Sequence, residues 1–376
     1  MKRPYLLLLA VSLCGTAAVQ RRKIVIDQDG SGPGGSNQMA MMVLLQSPET
    51  EVLGLTMVTG NAWRDEAAQH TLRMLELIGR TEVPVVPGAV YPLVRGQEET
   101  RLAFALHGKP VWLGAWGSRT ADVPLPEGGV LPAHMNSGRV LGAYEIPPMP
   151  EGKPATVPLK EDAAHFLVRQ VRAHPGEVTI FAGGPLTNIA LAIAIEPRFA
   201  EMTRGIVLMG GSLNPQTEDP EFATSPRHEF NFWFDPEAAR IVLRAAWPRI
   251  EVTTVDVSIK AMFTEQMLAE ISKSPHAVAR YVAQYSQERY YLWDELAACA
   301  WLDPSIITRR RELHMDVDLS HGPSYGYTLT WVDKLKPATG VRLVQAQVDL
   351  DLPKFTRQFV KLMSAPAPGK AARGVQ

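Results

Sequence analysis

Cysteine is nearly missing from this chain: its 376 residues hold two, Cys14 and Cys299. Cys14 falls in an N-terminal leader, so the mature chain keeps one thiol and no internal disulfide can form. An excess of charge is missing too. Lys and Arg total 38 against 39 Asp and Glu, and Lys2 and Arg3 belong to the leader. The slight acidic balance that remains excludes a basic field for nucleic acid. The apolar run in "PYLLLLAVSL" is too short to span a bilayer. With Lys2 and Arg3 ahead of it and Thr16-Ala17-Ala18 behind, it reads as a secretory signal peptide, residues 1–18. A secreted or periplasmic protein with no stable membrane span in its mature form is therefore expected. Leu13 is a poor small residue before Cys14, which makes lipoprotein anchoring the weaker reading. No repeat and no long linker interrupts the rest. With 46% apolar and 20% charged residues, the chain has an ordinary globular composition, and its stability must come from the core.

Short apolar runs alternate with helix-period segments. "KIVID", "VLGLTMV", "VPVVPG", "VTIFAGG", "GIVLMGG" and "IEVTTVDV" read as strands buried on both faces. Between them, "DEAAQHTLRMLELIGR", "EDAAHFLVRQVRAH", "TNIALAIAIEP" and "DPEAARIVLRAAW" carry helical spacing. Asp235-Pro236-Glu237 is a helix start, with a cap residue, Pro in the first turn and an acid beside it. The expectation is one α/β domain, residues 22–365, with a mostly parallel central sheet flanked by helices. Residues from about 95 to 160 are rich in Gly and Pro, which predicts a long loop region with little regular structure. Residues 366–376 predict a disordered tail.

In such sheets ligands bind beyond the carboxyl ends of the strands. "KIVIDQDGSGPGGSNQ" places Asp27 and Asp29 at one such end. The stretch lacks the Lys-Ser/Thr ending of a phosphate loop, and Asp29 would repel phosphate. Gly30, Gly32 and Gly35 match a dinucleotide spacing, but the two acids in front argue against it. Taken alone, the glycines are an inserted turn, and the acids fit amide capping as well as they fit metal binding.

They do not stand alone. "LMGGS", "HEFNFWFDPEAARIVL", "LWDELAACAWLDPS" and "AGGPLTNIALAI" resemble the inosine-uridine nucleoside hydrolase family, in that family's order and over nearly the whole mature chain. "YGYTLTWVD" and "VDLDLPKFTRQFVKLM" resemble its closing strands and last helix. The resemblance implies the nucleoside hydrolase fold and cleavage of the N-glycosidic bond of ribonucleosides with a bound Ca²⁺. The family's first strand ends D-x-D-P-G-x-D-D. Asp27 and Asp29 match its first two acids, and an insertion of Gly30-Ser31-Gly32 leaves Ser36 and Asn37 where the family has an acid pair. The metal ligands implied are Asp29, Asn37, the backbone carbonyl of Thr187 and Asp294, with Asp27 in support behind them. Asn37 offers one neutral oxygen where a carboxylate offers two charged ones, so a weakened or lost Ca²⁺ site is expected.

For the sugar, the resemblance implies Ser36, Asn61, Glu229 and Asn231, with Asn214 a candidate in the "MGG" loop. His107, in "ALHGKPVWLGAWG", resembles the family's "HG" active-site loop. Trp293 stands where many members have a His that protonates the leaving base. Trp cannot be a general acid, but purine-specific members place Trp there to stack on the base. The leading expectation is a purine nucleoside N-ribohydrolase with Asp29 as metal ligand and general base. Its partner is a small-molecule nucleoside and not a nucleic acid; a homo-oligomer is left open. A second reading, favoured by Ser36 and Asn37, is a non-catalytic nucleoside- or sugar-binding protein whose metal site has decayed. A third is a hydrolase of another glycoside, its pocket reshaped by loops 95–160 and 212–228.

Overall fold

A computed structural model describes residues 21–117, 140–286 and 289–368. The expected leader and residues 369–376 of the expected tail lie outside the described residues. Among the described residues nine strands form one sheet: β1 (Arg22–Gln28), β2 (Thr50–Met57), β3 (Val85–Pro87), β4 (Thr179–Ala182), β5 (Gly205–Met209), β6 (Ile250–Thr253), β7 (Ile307–Val317), β8 (Thr328–Trp331) and β9 (Arg342–Leu350). Their order is β3-β2-β1-β4-β5-β6-β9-β7-β8. Pairing is parallel from β3 through β9, while β7 lies antiparallel to β9 and β8. No helix among the described residues is long and apolar enough to cross a membrane.

The central strand shows why the apolar runs are unbroken. Ile24 and Ile26 enter the core on one face of the sheet, and Val25 enters the core on the other. A strand covered on both faces gains nothing from polar alternation. Helices Ser36–Gln46, Trp293–Leu302 and Leu352–Met363 cover the first face; Ala163–Ala173, Thr187–Ile195 and Pro236–Arg244 cover the second. Asn37 to Gln46 are all buried, so this helix carries no polar stripe.

Two expectations are corrected. The segment expected to be loop contains a helix, Gln97–His107, framed by Gly96 and Gly108. Phe104 stacks on Trp233, but Leu102 and Leu106 are 54% and 78% exposed, so its apolar residues form no continuous core-facing stripe. Residues 118–139 of that segment lie outside the described residues. In "IEVTTVDV" the strand stops at Thr253, and Val255–Ser258 turns into a short helix.

Strand order reverses between β1 and β4, since β1 pairs with the sequence-adjacent β2 on one side and with β4 on the other. The chain therefore leaves these two strands toward opposite sides and opens a crevice at their carboxyl ends.

Candidate active site

Asp29 follows β1 directly and is fully buried in that crevice. Its Oδ2 accepts the Asn61 backbone N–H at 2.8 Å, and its Oδ1 accepts the Asn61 Nδ2 at 3.2 Å and the Asn37 Nδ2 at 2.8 Å. Burial pushes its carboxyl up to about 7, against the pull of the Asn61 hydrogen bonds. Gly60, after β2, comes so close that a Cβ there would lie 2.1 Å from Asp29 Oδ2. Only glycine lets the two strand ends approach this far.

Asp27 sits one step back. It accepts from Thr56 Oγ1 at 2.5 Å and Asn188 Nδ2 at 2.8 Å, and burial pushes it, too, up to about 7. It braces β1 against β2 and the helix Thr187–Ile195.

The helix Ser36–Gln46 brings in Ser36 and Asn37 in its first turn, and the helix Trp293–Leu302 brings Asp294 and Glu295 in its own. Ser36 Oγ donates to Glu295 Oε2 at 2.5 Å and accepts the Asp294 N–H at 3.2 Å. Asn37 Nδ2 lies 2.9 Å from Asp294 Oδ2 and 2.6 Å from Gln28 Oε1. Asn37 Nδ2 also lies 3.2 Å from the Gly183 carbonyl. The hydroxyl of Thr187 donates to Asp235 Oδ2 at 2.6 Å. Burial pushes Asp294 well above the usual carboxylate range, helped by the neighbouring charges of Glu295 and Asp29.

Glu229 caps the short helix Phe230–Phe234, accepting from the Asn231 and Phe232 N–H groups and also from Gly211 N–H. Asn231 Nδ2 donates to the Met209 carbonyl at 3.1 Å, at the end of β5. Trp293 is half-buried and meets Tyr291 and Phe222 edge-on, with ring centroids 5.1 and 6.0 Å away. The three rings form an aromatic wall beside Asp294. His107 is exposed at the end of its helix, and Asn214 is exposed with its backbone N–H on Asp256. The structure does not bring those two side chains into the carboxylate cluster.

Four participants escaped the sequence reading. Gln28, Gly183 and Glu295 adjoin motif residues but carry no chemical signal of their own. Trp112 donates its indole N–H to Asn61 Oδ1 at 2.6 Å. Only its place in the "HGKPVWLGAW" loop pointed toward the site.

The arrangement can hold a polar ring against Glu229, Asn231 and Asn61, stack a flat group on Trp293, and present one buried carboxylate to a water. It does not fit Ca²⁺. That ion needs six to eight oxygens around an open point. Here Asn37 turns its N–H₂ group, a donor with no lone pair to offer, toward both carboxylates. Among the described residues no group of three or more His, Cys, Asp or Glu side chains is placed to hold a metal.

The family model described as inosine-uridine preferring nucleoside hydrolase matches residues 24–357. A probable uridine nucleosidase 2 of Arabidopsis thaliana is 31% identical over 300 residues, 77% of this chain and 80% of the relative. An inosine-uridine preferring nucleoside hydrolase of Leishmania major is 28% identical over 346 residues, 89% and 95% of the two chains. A solved plant nucleoside hydrolase superposes with a TM-score of 0.69 at 25% identity, covering 92% of this chain and 99% of its own.

Proposed function

The chain belongs to the inosine-uridine preferring nucleoside hydrolase family, enzymes that cleave the N-glycosidic bond of ribonucleosides, and from that premise we propose a purine-preferring hydrolase with Asp29 as general base. The observation that carries the reading is the buried Asp29 carboxylate, aimed by three N–H groups from Asn61 and Asn37. A base with a pKa close to the working pH combines a useful deprotonated fraction with a real pull on the proton. Asp29 takes a proton from water as the water oxygen attacks the anomeric carbon. The carbon–nitrogen bond breaks, and its electron pair leaves with the base, which then takes up a proton. Ribose and free base are the products.

Glu229 and Asn231 are proposed to hold the ribose, with Asn61 and Ser36 facing it from the other side. Trp293 is proposed to stack on the leaving base, and Tyr291 and Phe222 brace it there. A two-ring purine covers more of that wall than a pyrimidine, and base–aromatic stacking contributes about 1–3 kcal/mol. The relatives' names lean the other way, toward uridine. Metal dependence is typical of the family, but the donor set around Asn37 does not fit Ca²⁺, and no step above runs through it.

The experiment is reducing-sugar release from a panel of nucleosides, run beside thermal shift on the same panel. Inosine should be cleaved faster than uridine, and Asp29→Asn should lose ~10²–10⁴-fold of the rate while still folding. Equal or faster uridine turnover removes the purine proposal. Nucleosides that raise the melting temperature of the wild type without any sugar release would favour the binding-protein reading.

A further inference from the structure

Four oxygen acceptors converge on a single atom in the crevice. Gln28 Oε1, Asp29 Oδ1, Asp294 Oδ2 and the Gly183 carbonyl lie 2.6, 2.8, 2.9 and 3.2 Å from Asn37 Nδ2. An amide nitrogen has two hydrogens, so it cannot give each acceptor a full bond; they share it. Carboxylates and carbonyls gathered from three separate segments around one electropositive centre are the surroundings of a cation. Yet the centre is a covalently attached N–H₂ group, and three of the four distances exceed the 2.3–2.6 Å that calcium asks of its oxygens, as N–H···O bonds do.

The direction of that amide follows from its neighbours. Trp112 Nε1 can only donate, so the Asn61 atom facing it at 2.6 Å is Oδ1. Asn61 Nδ2 therefore points the other way, toward Asp29 Oδ1 at 3.2 Å and Asn37 Oδ1 at 3.3 Å. With its oxygen on Asn61, Asn37 must turn its nitrogen to the carboxylates. Reversing Asn37 alone would set two N–H₂ groups against each other and aim its oxygen at four acceptors. One donor-only indole thus orients two amides in series.

We infer that the Asn37 carboxamide nitrogen stands in the place of a divalent cation, making this a calcium-independent site in which Trp112 and Asn61 position the substituting group. The inference rests on the nucleoside hydrolase reading only for the expectation that a cation would sit there. A neutral N–H₂ donor can hydrogen-bond to two carboxyl groups, but it cannot polarise a water as a divalent ion does. Proton removal is then left to Asp29 itself.

The test uses the full chain, purified and treated with chelator, with calcium as the probe. Wild-type protein should carry no stoichiometric calcium on elemental analysis. Its melting temperature should not move between excess chelator and ~10 mM CaCl₂, above the weakest oxygen-ligand sites at about 10⁻³ M. Asn37→Asp restores an acceptor at the centre and should respond to the same calcium with a rise of about 3–10 °C. One calcium per wild-type chain, or a calcium-dependent rise in the wild type, overturns the inference. So does an Asn37→Asp protein that folds and ignores calcium. If Asn37→Asp fails to fold, the wild-type titration and metal analysis decide alone. Neither readout involves nucleoside turnover, so failure of the hydrolase reading and failure of this one are told apart.

Discussion

Asp29 is a carboxylate kept from water yet surrounded by N–H groups, and the two influences oppose each other. Burial favours its protonated form, and the hydrogen bonds from Asn61 favour the ionised form; burial prevails and leaves the pKa near 7. The sign for activity follows. A general base works only when deprotonated, so kcat/KM should rise with pH through about 7 and level above it. A profile already flat from pH 5 upward would remove Asp29 as the titrating base. Glu295 differs in kind. It is fully buried, pushed up to about 8, and bonded through Ser36, with its second oxygen unpartnered.

Between elements, one carboxylate does the joining. Asp235 caps the helix Pro236–Arg244 through the Ala238 N–H, and its other oxygen accepts from Thr187 Oγ1 and the Leu93 N–H. It ties the turn after β4 to the loop before the helix Gln97–His107. Asp235→Ala removes a cap and strands a buried hydroxyl and a backbone N–H, a loss of ~2–4 kcal/mol. A urea midpoint within error of the wild type would contradict this. The cap itself is legible in "DPEAA", because a helix start is a local pattern. The apolar strands β1, β2, β4 and β5 are legible for a related reason: burial on both faces leaves an unbroken run. Strand β7 escapes notice because Arg309, Arg310 and Arg311 fall in its exposed half. In the site, the motifs bring Asp29, Asn37 and Asp294 together on paper as they do in space. The direction of the Asn37 amide is not legible, since it depends on Trp112, Asn61 and Gly183, which meet only after folding.

For the molecule as a whole, the C-terminal helix Leu352–Met363 is a structural part of the core. Phe355, Phe359 and Met363 are fully buried against the helices Ser36–Gln46 and Trp293–Leu302 that carry the site. Each such side chain contributes about 1.5–3 kcal/mol by leaving water, and a typical domain has only about 5–15 kcal/mol in total. Truncation after Leu350 should therefore give a chain without a cooperative thermal transition. A truncated protein that melts near the wild type would show the helix to be dispensable. The position of β1 at the centre of the sheet has a further consequence, one of timing. β1 leaves the ribosome early and finds β2 at once, but its other neighbour, β4, begins only at Thr179. Asp294, which shares the Asn37 amide with Asp29, comes later still. At about 5–20 residues per second, the first carboxylate waits roughly ten to fifty seconds for the last to be synthesised. Until β4 is synthesised, β1 has one edge unpaired, and any factor that shields nascent chains has its opportunity there.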